Sequence, residues 1–223
     1  VAGVIRVLIV DDDPLVRVGL SLVLGAGADL RLVGEAGDGA EAVELVRRLR
    51  PDVVLMDIRM PRMDGLAATG EIRRAGPDPA VIVLTTFDTD EHLLGALRLG
   101  ANGFLLKDIA PEAILDAVRR AAAGESILAP SVLPRLIGHA VGRDRAPAAA
   151  DERAERARAR LRRLSERERE VAEAVATGSS NAEISAGLHI SVPTVKAYVS
   201  RLLEKLDCAN RVQVAILVHE ARR

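Results

Sequence analysis

The sequence predicts two folds in one chain: an α/β domain with a doubly wound parallel sheet, then a small all-α domain. Three observations carry that expectation. Short apolar runs (VLIV, VVLM, VIVL) alternate with amphipathic stretches through residues 4–124, as strands covered by helices on both faces must. After Gly124 the alternation stops and capping signals for short helices recur instead. The charge also changes sign there: residues 1–124 hold 19 acidic and 14 basic side chains, whereas 125–223 hold 13 and 17. The two parts therefore face different partners.

The strands read in order as Val4–Val10, Leu30–Ala36, Val53–Met56, Ala80–Thr85 and Asn102–Leu106. Between and after them lie helices at Pro14–Leu24, Ala40–Leu49, Gly65–Arg74, Asp90–Leu99 and Pro111–Ala123. Asp13 followed by Pro14 supplies an N-cap and a favourable first helical residue. Five βα units fit a flavodoxin-like (βα)5 domain over 1–124, whose ligand site lies beyond the carboxyl ends of the strands. Ser131–Val141 has the pattern of one more short helix. The Ala/Arg/Asp/Glu stretch 142–160 has no apolar face to bury and reads as a linker with helical tendency, so 125–160 separates the domains. From 161 to 223, helices are expected at about 166–177, 181–186, 192–206 and 211–220. Ser165-x-x-Glu168 and Ser180-x-x-Glu183 match capping boxes, and Gly187 ends the second helix. That is a helix-turn-helix inside a four-helix domain.

Composition narrows the function classes. With 49% hydrophobic residues and a net charge of −1, the chain can bury a core and is neither disordered nor polybasic. The single cysteine, Cys208, excludes an internal disulfide and a Cys-rich zinc site. No apolar run reaches bilayer length and no signal-peptide layout precedes the first strand, so a reducing cytoplasm without membrane insertion is the expected setting. Among 31 cations only Lys107, Lys196 and Lys205 are lysines, which singles those positions out.

The sharpest constellation comes from strand ends. Asp11 and Asp12 follow the first strand, Asp57 the third and Lys107 the fifth, while Thr85 closes the fourth. In a parallel sheet all five converge on one edge. Three crowded carboxylates repel one another unless a cation joins them. A hard divalent ion that keeps several waters, Mg²⁺, answers that need. With Lys107 and the Thr85 hydroxyl aimed at an anion, the set suits phosphoryl transfer, and Asp57, alone after its strand, is the candidate nucleophile.

VLIVDDDPLVR, LMDIRMPRMDG, VLTTF and GFLLKD resemble the receiver domain of bacterial two-component response regulators over about 1–124. The resemblance implies that Asp57 is the phosphoacceptor and that Asp11, Asp12, Asp57 and the backbone carbonyl of Arg59 bind Mg²⁺. It also implies that Thr85 and Lys107 contact the phosphoryl group and that Thr85 and Phe104 form the switch pair. Two departures stand out: Asp108 follows the lysine where many single-domain receivers have proline, and Phe104 lacks a tyrosine hydroxyl.

In the expected third C-terminal helix, Val195, Val199, Leu202 and Leu206 form an inward stripe, and Thr194, Lys196, Ala197, Ser200 and Arg201 lie opposite. Such side chains suit the major groove and its phosphates. LSEREREVAEAVATGSSNAEISAGLHISVPTVKAYVSRLLEKL resembles the LuxR-type helix-turn-helix and, with the receiver, the NarL/FixJ group of response regulators. That pattern implies DNA contacts from Thr194, Lys196, Ala197 and Ser200, with Tyr198 and Asn181 touching the DNA backbone. Ser200 departs from members with a longer polar or basic side chain there. On the last helix, Val212, Ala215, Ile216 and His219 form one stripe and Val214, Leu217 and Val218 another. One core cannot easily bury both, so Val214, Leu217 and Val218 are expected at a dimer contact. His219 has no partner at ligand spacing, and Cys208 has a packing role.

The resulting expectation is a non-enzymatic regulator. A sensor histidine kinase phosphorylates Asp57, and the chain binds promoter DNA as a homodimer, with RNA polymerase as a further partner that the reading allows. An aspartate-nucleophile phosphatase of the haloacid dehalogenase kind would want a second Asp two residues after Asp57, where Arg59 stands. A DNA-binding protein that ignores phosphorylation is distinguished by whether phosphodonors modify Asp57.

Overall fold

Alternate side chains of a strand point to opposite faces, and here both faces are covered. The computed structural model describes residues 3–76, 79–85, 90–125, 127 and 147–222. The chain divides into two compact units, Val1–Leu128 and Ala129–Arg223. In the first, β1 (Ile5–Val10), β2 (Leu30–Ala36), β3 (Val53–Asp57), β4 (Ala80–Thr85) and β5 (Gly103–Leu106) form one parallel sheet in the order β2-β1-β3-β4-β5. The order reverses between β1 and β3, which opens a crevice at their carboxyl ends.

The helices α1 (Pro14–Gly25), α2 (Gly39–Leu49), α3 (Gly65–Ala75), α4 (Asp90–Arg98) and α5 (Pro111–Ala122) connect or follow the strands. Val7, Ile9, Val53, Leu55, Ile82 and Leu84 pack on one face with Leu20 and Leu24 of α1 and Ile114 and Val118 of α5. Leu8, Val10, Val54 and Met56 pack on the other with Ala42 and Leu45 of α2 and Ala68 and Ile72 of α3. Fully burying each Val, Leu or Ile contributes about 1.5–3 kcal/mol, so this two-sided burial anchors the strand ends that carry the chemistry. Asp13, Asp38 and Asp64 cap α1, α2 and α3, each accepting from a backbone N–H of the first turn.

The first unit extends past Gly124. Ile127 bridges to Gly103, donating to the carbonyl of Asn102 and accepting from the N–H of Phe104. Gly103 is required there because a Cβ would run into the Ile127 side chain at 2.5 Å.

The second unit differs from the expected four helices. It contains α6 (Pro147–Leu161), α7 (Glu166–Ala176), α8 (Asn181–Leu188), α9 (Val192–Lys205) and α10 (Arg211–Ala221). Both capping boxes are formed, at Ser165/Glu168 and Ser180/Glu183, and the Asn210 side chain caps α10. Over 147–160 the helical tendency is realised as α6, but the reading as a solvated linker is corrected, because this helix is packed. Its Ala154 and Ala157 are buried, and the arginines hold its end, Arg158 donating to the carbonyl of Ala221 and Arg160 to that of Asp207. The expected short helix at Ser131–Val141 lies outside the described residues. Gly187 does not end α8, which runs one residue further and stops at His189, whose φ of 53° is left-handed.

Candidate functional site

The carboxyl ends of β1, β3, β4 and β5 bring the acidic pocket together. Asp11, Asp57 and Thr85 are buried and Asp12 is exposed. Carboxylate oxygens of Asp11, Asp12 and Asp57 lie within 4.8 Å of one another. Lys107, just past β5, sets its Nζ 2.5 Å from Asp11 Oδ2 and 2.8 Å from Asp57 Oδ1. Its own N–H donates to the carbonyl of Thr85 at 2.9 Å, which registers the β5 end against β4. The N–H of Asp13 donates to Asp11 Oδ1 at 3.0 Å, and that of Arg59 donates to Asp57 Oδ2 at 2.9 Å. This last bond also fixes the turn carrying the Arg59 carbonyl. Phe104, on β5, is buried.

Burial pushes the Asp57 carboxyl above its ordinary range, and the hydrogen bond and charge of Lys107 offset only part of that. Burial also works against the Lys107 ammonium, but the hydrogen bonds to Asp11 and Asp57 outweigh it and hold the ammonium above its usual range. The pocket is thus a site of concentrated negative charge tied to one internal cation. Its donors are hard oxygens, one carboxylate faces solvent, and the three converge on one point, which fits a Mg²⁺ ion that retains waters.

One residue that sequence reasoning left without a role is Gly65, the first residue of α3. A Cβ there would overlap the backbone carbonyl of Asp57, so only glycine lets α3 start this close to the strand end. The Asp64-Gly65 pair, a cap followed by glycine, was the available signal.

In the second unit, α8 and α9 form the helix-turn-helix. Val195, Val199 and Leu202 face inward with Leu206 in a core shared with Val171, Val175 and Ile184. Thr194, Lys196, Ala197, Ser200 and Arg201 are exposed on α9. Tyr198 is half-buried, and the Arg201 guanidinium lies 6.0 Å above its ring. Asn181 departs from expectation: it is buried, and its Oδ1 accepts from Arg211 of α10, so the side chain is directed inward rather than toward DNA.

Val214, Leu217 and Val218 also depart from expectation. All three are buried within the single chain, because α10 packs against both α6 and α7. The extra helix covers the stripe that a four-helix domain would leave open, so the assignment of these residues to a dimer contact is withdrawn. Cys208 packs against this core, and burial pushes its thiol up to about 11. Lys205 pairs with Glu168, 2.7 Å away, whose carboxyl the pairing and the Ser165 N–H hold down at about 2.

A phosphoacceptor-like pocket on a doubly wound sheet, followed by a helix-turn-helix, defines a signal-receiving transcription regulator. Comparison with known proteins agrees. Residues 7–119 match the response regulator receiver domain and residues 162–218 the luxR family of bacterial regulatory proteins. The chain therefore belongs to the response regulators of the NarL/FixJ group, transcription regulators of two-component systems.

It is 40% identical over 212 residues to the uncharacterized transcriptional regulatory protein YxjL of Bacillus subtilis, covering 95% of this chain and 94% of that one. It is 38% identical over 213 residues to the response regulator protein VraR of Staphylococcus aureus, covering 95% of each. Among solved structures it resembles the response regulator ChrA of a heme-sensing two-component system, with a TM-score of 0.52, 33% identity and coverage of 100% and 99%. The Salmonella typhimurium response regulator RcsB is also similar, with a TM-score of 0.56, 26% identity and coverage of 96% and 97%. Receiver domains generally bind Mg²⁺ at an acidic pocket of this kind. Among the described residues no helix is long and apolar enough to cross a membrane.

Proposed function

We propose that this chain takes a phosphoryl group from a sensor histidine kinase onto Asp57 and then, as a homodimer in the cytoplasm, binds promoter DNA through α9. The observation that carries this is Lys107, whose ammonium bridges Asp11 and Asp57 at 2.5 and 2.8 Å beside the exposed Asp12.

The Asp57 carboxylate attacks phosphorus in line, forming the acyl phosphate O–P bond as the P–N bond to the kinase histidine breaks. Asp11, Asp12, Asp57 and the carbonyl of Arg59 are the groups that would hold Mg²⁺. When bound, it offsets charge on the phosphoryl oxygens. Lys107 exchanges its bond to Asp57 for one to a phosphoryl oxygen, and the Thr85 hydroxyl donates to another. Both sit at the ends of adjacent strands, so their movement reaches the surface around β4 and β5, with Phe104 filling the space beneath.

On DNA, Lys196 reads base edges together with Thr194, Ala197 and Ser200, while Arg201, steadied over Tyr198, holds the phosphate backbone. The protein performs no turnover chemistry in this reading.

The test is mass spectrometry after incubation with a small-molecule phosphodonor and Mg²⁺. One labile adduct of about 80 Da is expected on the wild type, and none on Asp57→Asn or in chelator. The same adduct on Asp57→Asn would remove Asp57 from the role.

A further inference from the structure

We infer that Arg17 is a positioning residue for the cation pocket, holding in place the pocket carboxylate, Asp12, that no other side chain anchors among the described residues; the inference rests on the pocket reading above. Arg17 lies in the first turns of α1 but sends its guanidinium back toward the strand ends. Nη1 donates to the carbonyl of Asp11 at 2.7 Å and to that of Asp12 at 3.4 Å, and Nε donates to Glu35 Oε2 on β2 at 3.2 Å. One side chain thus ties together the loop after β1, α1 and the end of β2.

The three pocket carboxylates differ in how they are held. Asp11 is fixed by the Asp13 N–H and Lys107, and Asp57 by the Arg59 N–H and Lys107. Asp12 is exposed, and among the described residues no hydrogen bond or ion pair to its carboxylate is formed. Its direction toward the shared point is set by its backbone alone. Arg17 grips that backbone on both sides, through the carbonyls of Asp11 and Asp12, and so fixes the peptide planes flanking the Asp12 Cα. Glu35 neutralises the guanidinium.

The clamp and the charge predict opposite signs. A bare positive charge this close to a cation site weakens cation binding, so removing it would tighten the site. Loss of an orienting outer partner typically lowers metal affinity about 10- to 100-fold. The full chain is titrated calorimetrically with Mg²⁺ alone, without phosphodonor, as wild type, Arg17→Lys, Arg17→Ala and Glu35→Gln, and each is melted in chelator.

Arg17→Lys, which keeps the charge and loses the fork, should bind Mg²⁺ about 10-fold more weakly. Glu35→Gln keeps both carbonyl bonds and should lose less than Arg17→Lys does. Unchanged or tighter binding in Arg17→Lys overturns the inference, whether or not Arg17→Ala folds. So does a fall in melting temperature without a fall in affinity, which marks a merely structural bond, and so does a loss in Glu35→Gln that matches Arg17→Lys, since the carbonyl bonds kept in Glu35→Gln would then not set the affinity. No Mg²⁺ binding by the wild type overturns the pocket reading itself, and this inference with it.

Discussion

Lys107→Ala tests the electrostatics of the pocket without any phosphodonor. In the wild type its ammonium makes two charged hydrogen bonds, at 2.5 Å to Asp11 and 2.8 Å to Asp57, each contributing about 1.5–3 kcal/mol. The carboxylates it joins lie within 4.8 Å of one another, where two uncompensated charges repel by roughly 3 kcal/mol at an effective dielectric constant of ~20. Relaxation and water entry return part of this, so the working figure is the about 3–5 kcal/mol typical of breaking a buried pair.

For a domain of this length that corresponds to a melting temperature lower by about 10 °C or more, read by calorimetry on the transition of the first unit at neutral pH in chelator. Two controls fix the cause. Asp57 titrates above the ordinary carboxylate range, so it takes up a proton early as the pH falls, and the deficit of the variant should shrink through and below that range. Mg²⁺ should raise the melting temperature of the variant more than that of the wild type, because the carboxylates no longer have an internal cation to offset their charge. A variant that melts within about 2 °C of the wild type in chelator, or a deficit that persists in acid, would mean that Lys107 does not hold the pocket carboxylates together.

Other outcomes follow from single contacts. Gly65→Ala forces a methyl onto the Asp57 carbonyl; it should destabilise the first unit by about 1–3 kcal/mol and slow uptake of phosphoryl by Asp57, both measurable on one preparation. Glu168→Gln weakens the cap of α7 and the bond to Lys205, lowering stability by about 1–2 kcal/mol at neutral pH. Because the folded pKa of Glu168 is depressed from 4.5 to about 2, this contribution is fully present above 4.5 and lost as the pH falls toward 2, so the wild type and variant melting curves should converge there. Lys196→Ala should flatten base preference at one position of each half-site, by about 1–3 kcal/mol in discrimination, while Arg201→Ala weakens binding evenly and reduces its salt dependence. Titrations of single-base operator variants at two salt concentrations separate the two, and a reversed pattern would exchange their roles.

Much of the first unit was legible because its strands are buried on both faces and so read as unbroken apolar runs. The pocket was legible because its residues stand at the ends of those runs, where topology alone brings them together. Arg17 and Gly65 were not, since their roles depend on backbone carbonyls that no side-chain pattern marks.

The second unit hid more. Alanine methyls carry little hydropathy, so the spacing of Ala154 and Ala157 did not announce a buried face, although small side chains let α6 lie close against α10. Reading that segment as a solvated linker left one stripe of α10 without a cover and suggested a dimer contact at Val214, Leu217 and Val218. Asn181, the first residue of α8, resembles an exposed polar group until Arg211, 30 residues later in the chain, reaches it. Of the three singled-out lysines, Lys107 lies in the acidic pocket, Lys196 is exposed on α9, and Lys205 serves the packing of α7 on α9 through Glu168.

In the proposed function, phosphorylation of Asp57 controls DNA binding by the second unit. The most direct test of that control measures binding of the full chain to promoter fragments selected from the source genome, with molecular mass followed in parallel, in Mg²⁺ with and without phosphodonor. The donor should raise both affinity and the dimer fraction of the wild type and leave Asp57→Asn unchanged. Equal affinity of the wild type with and without a confirmed Asp57 adduct would contradict the proposal.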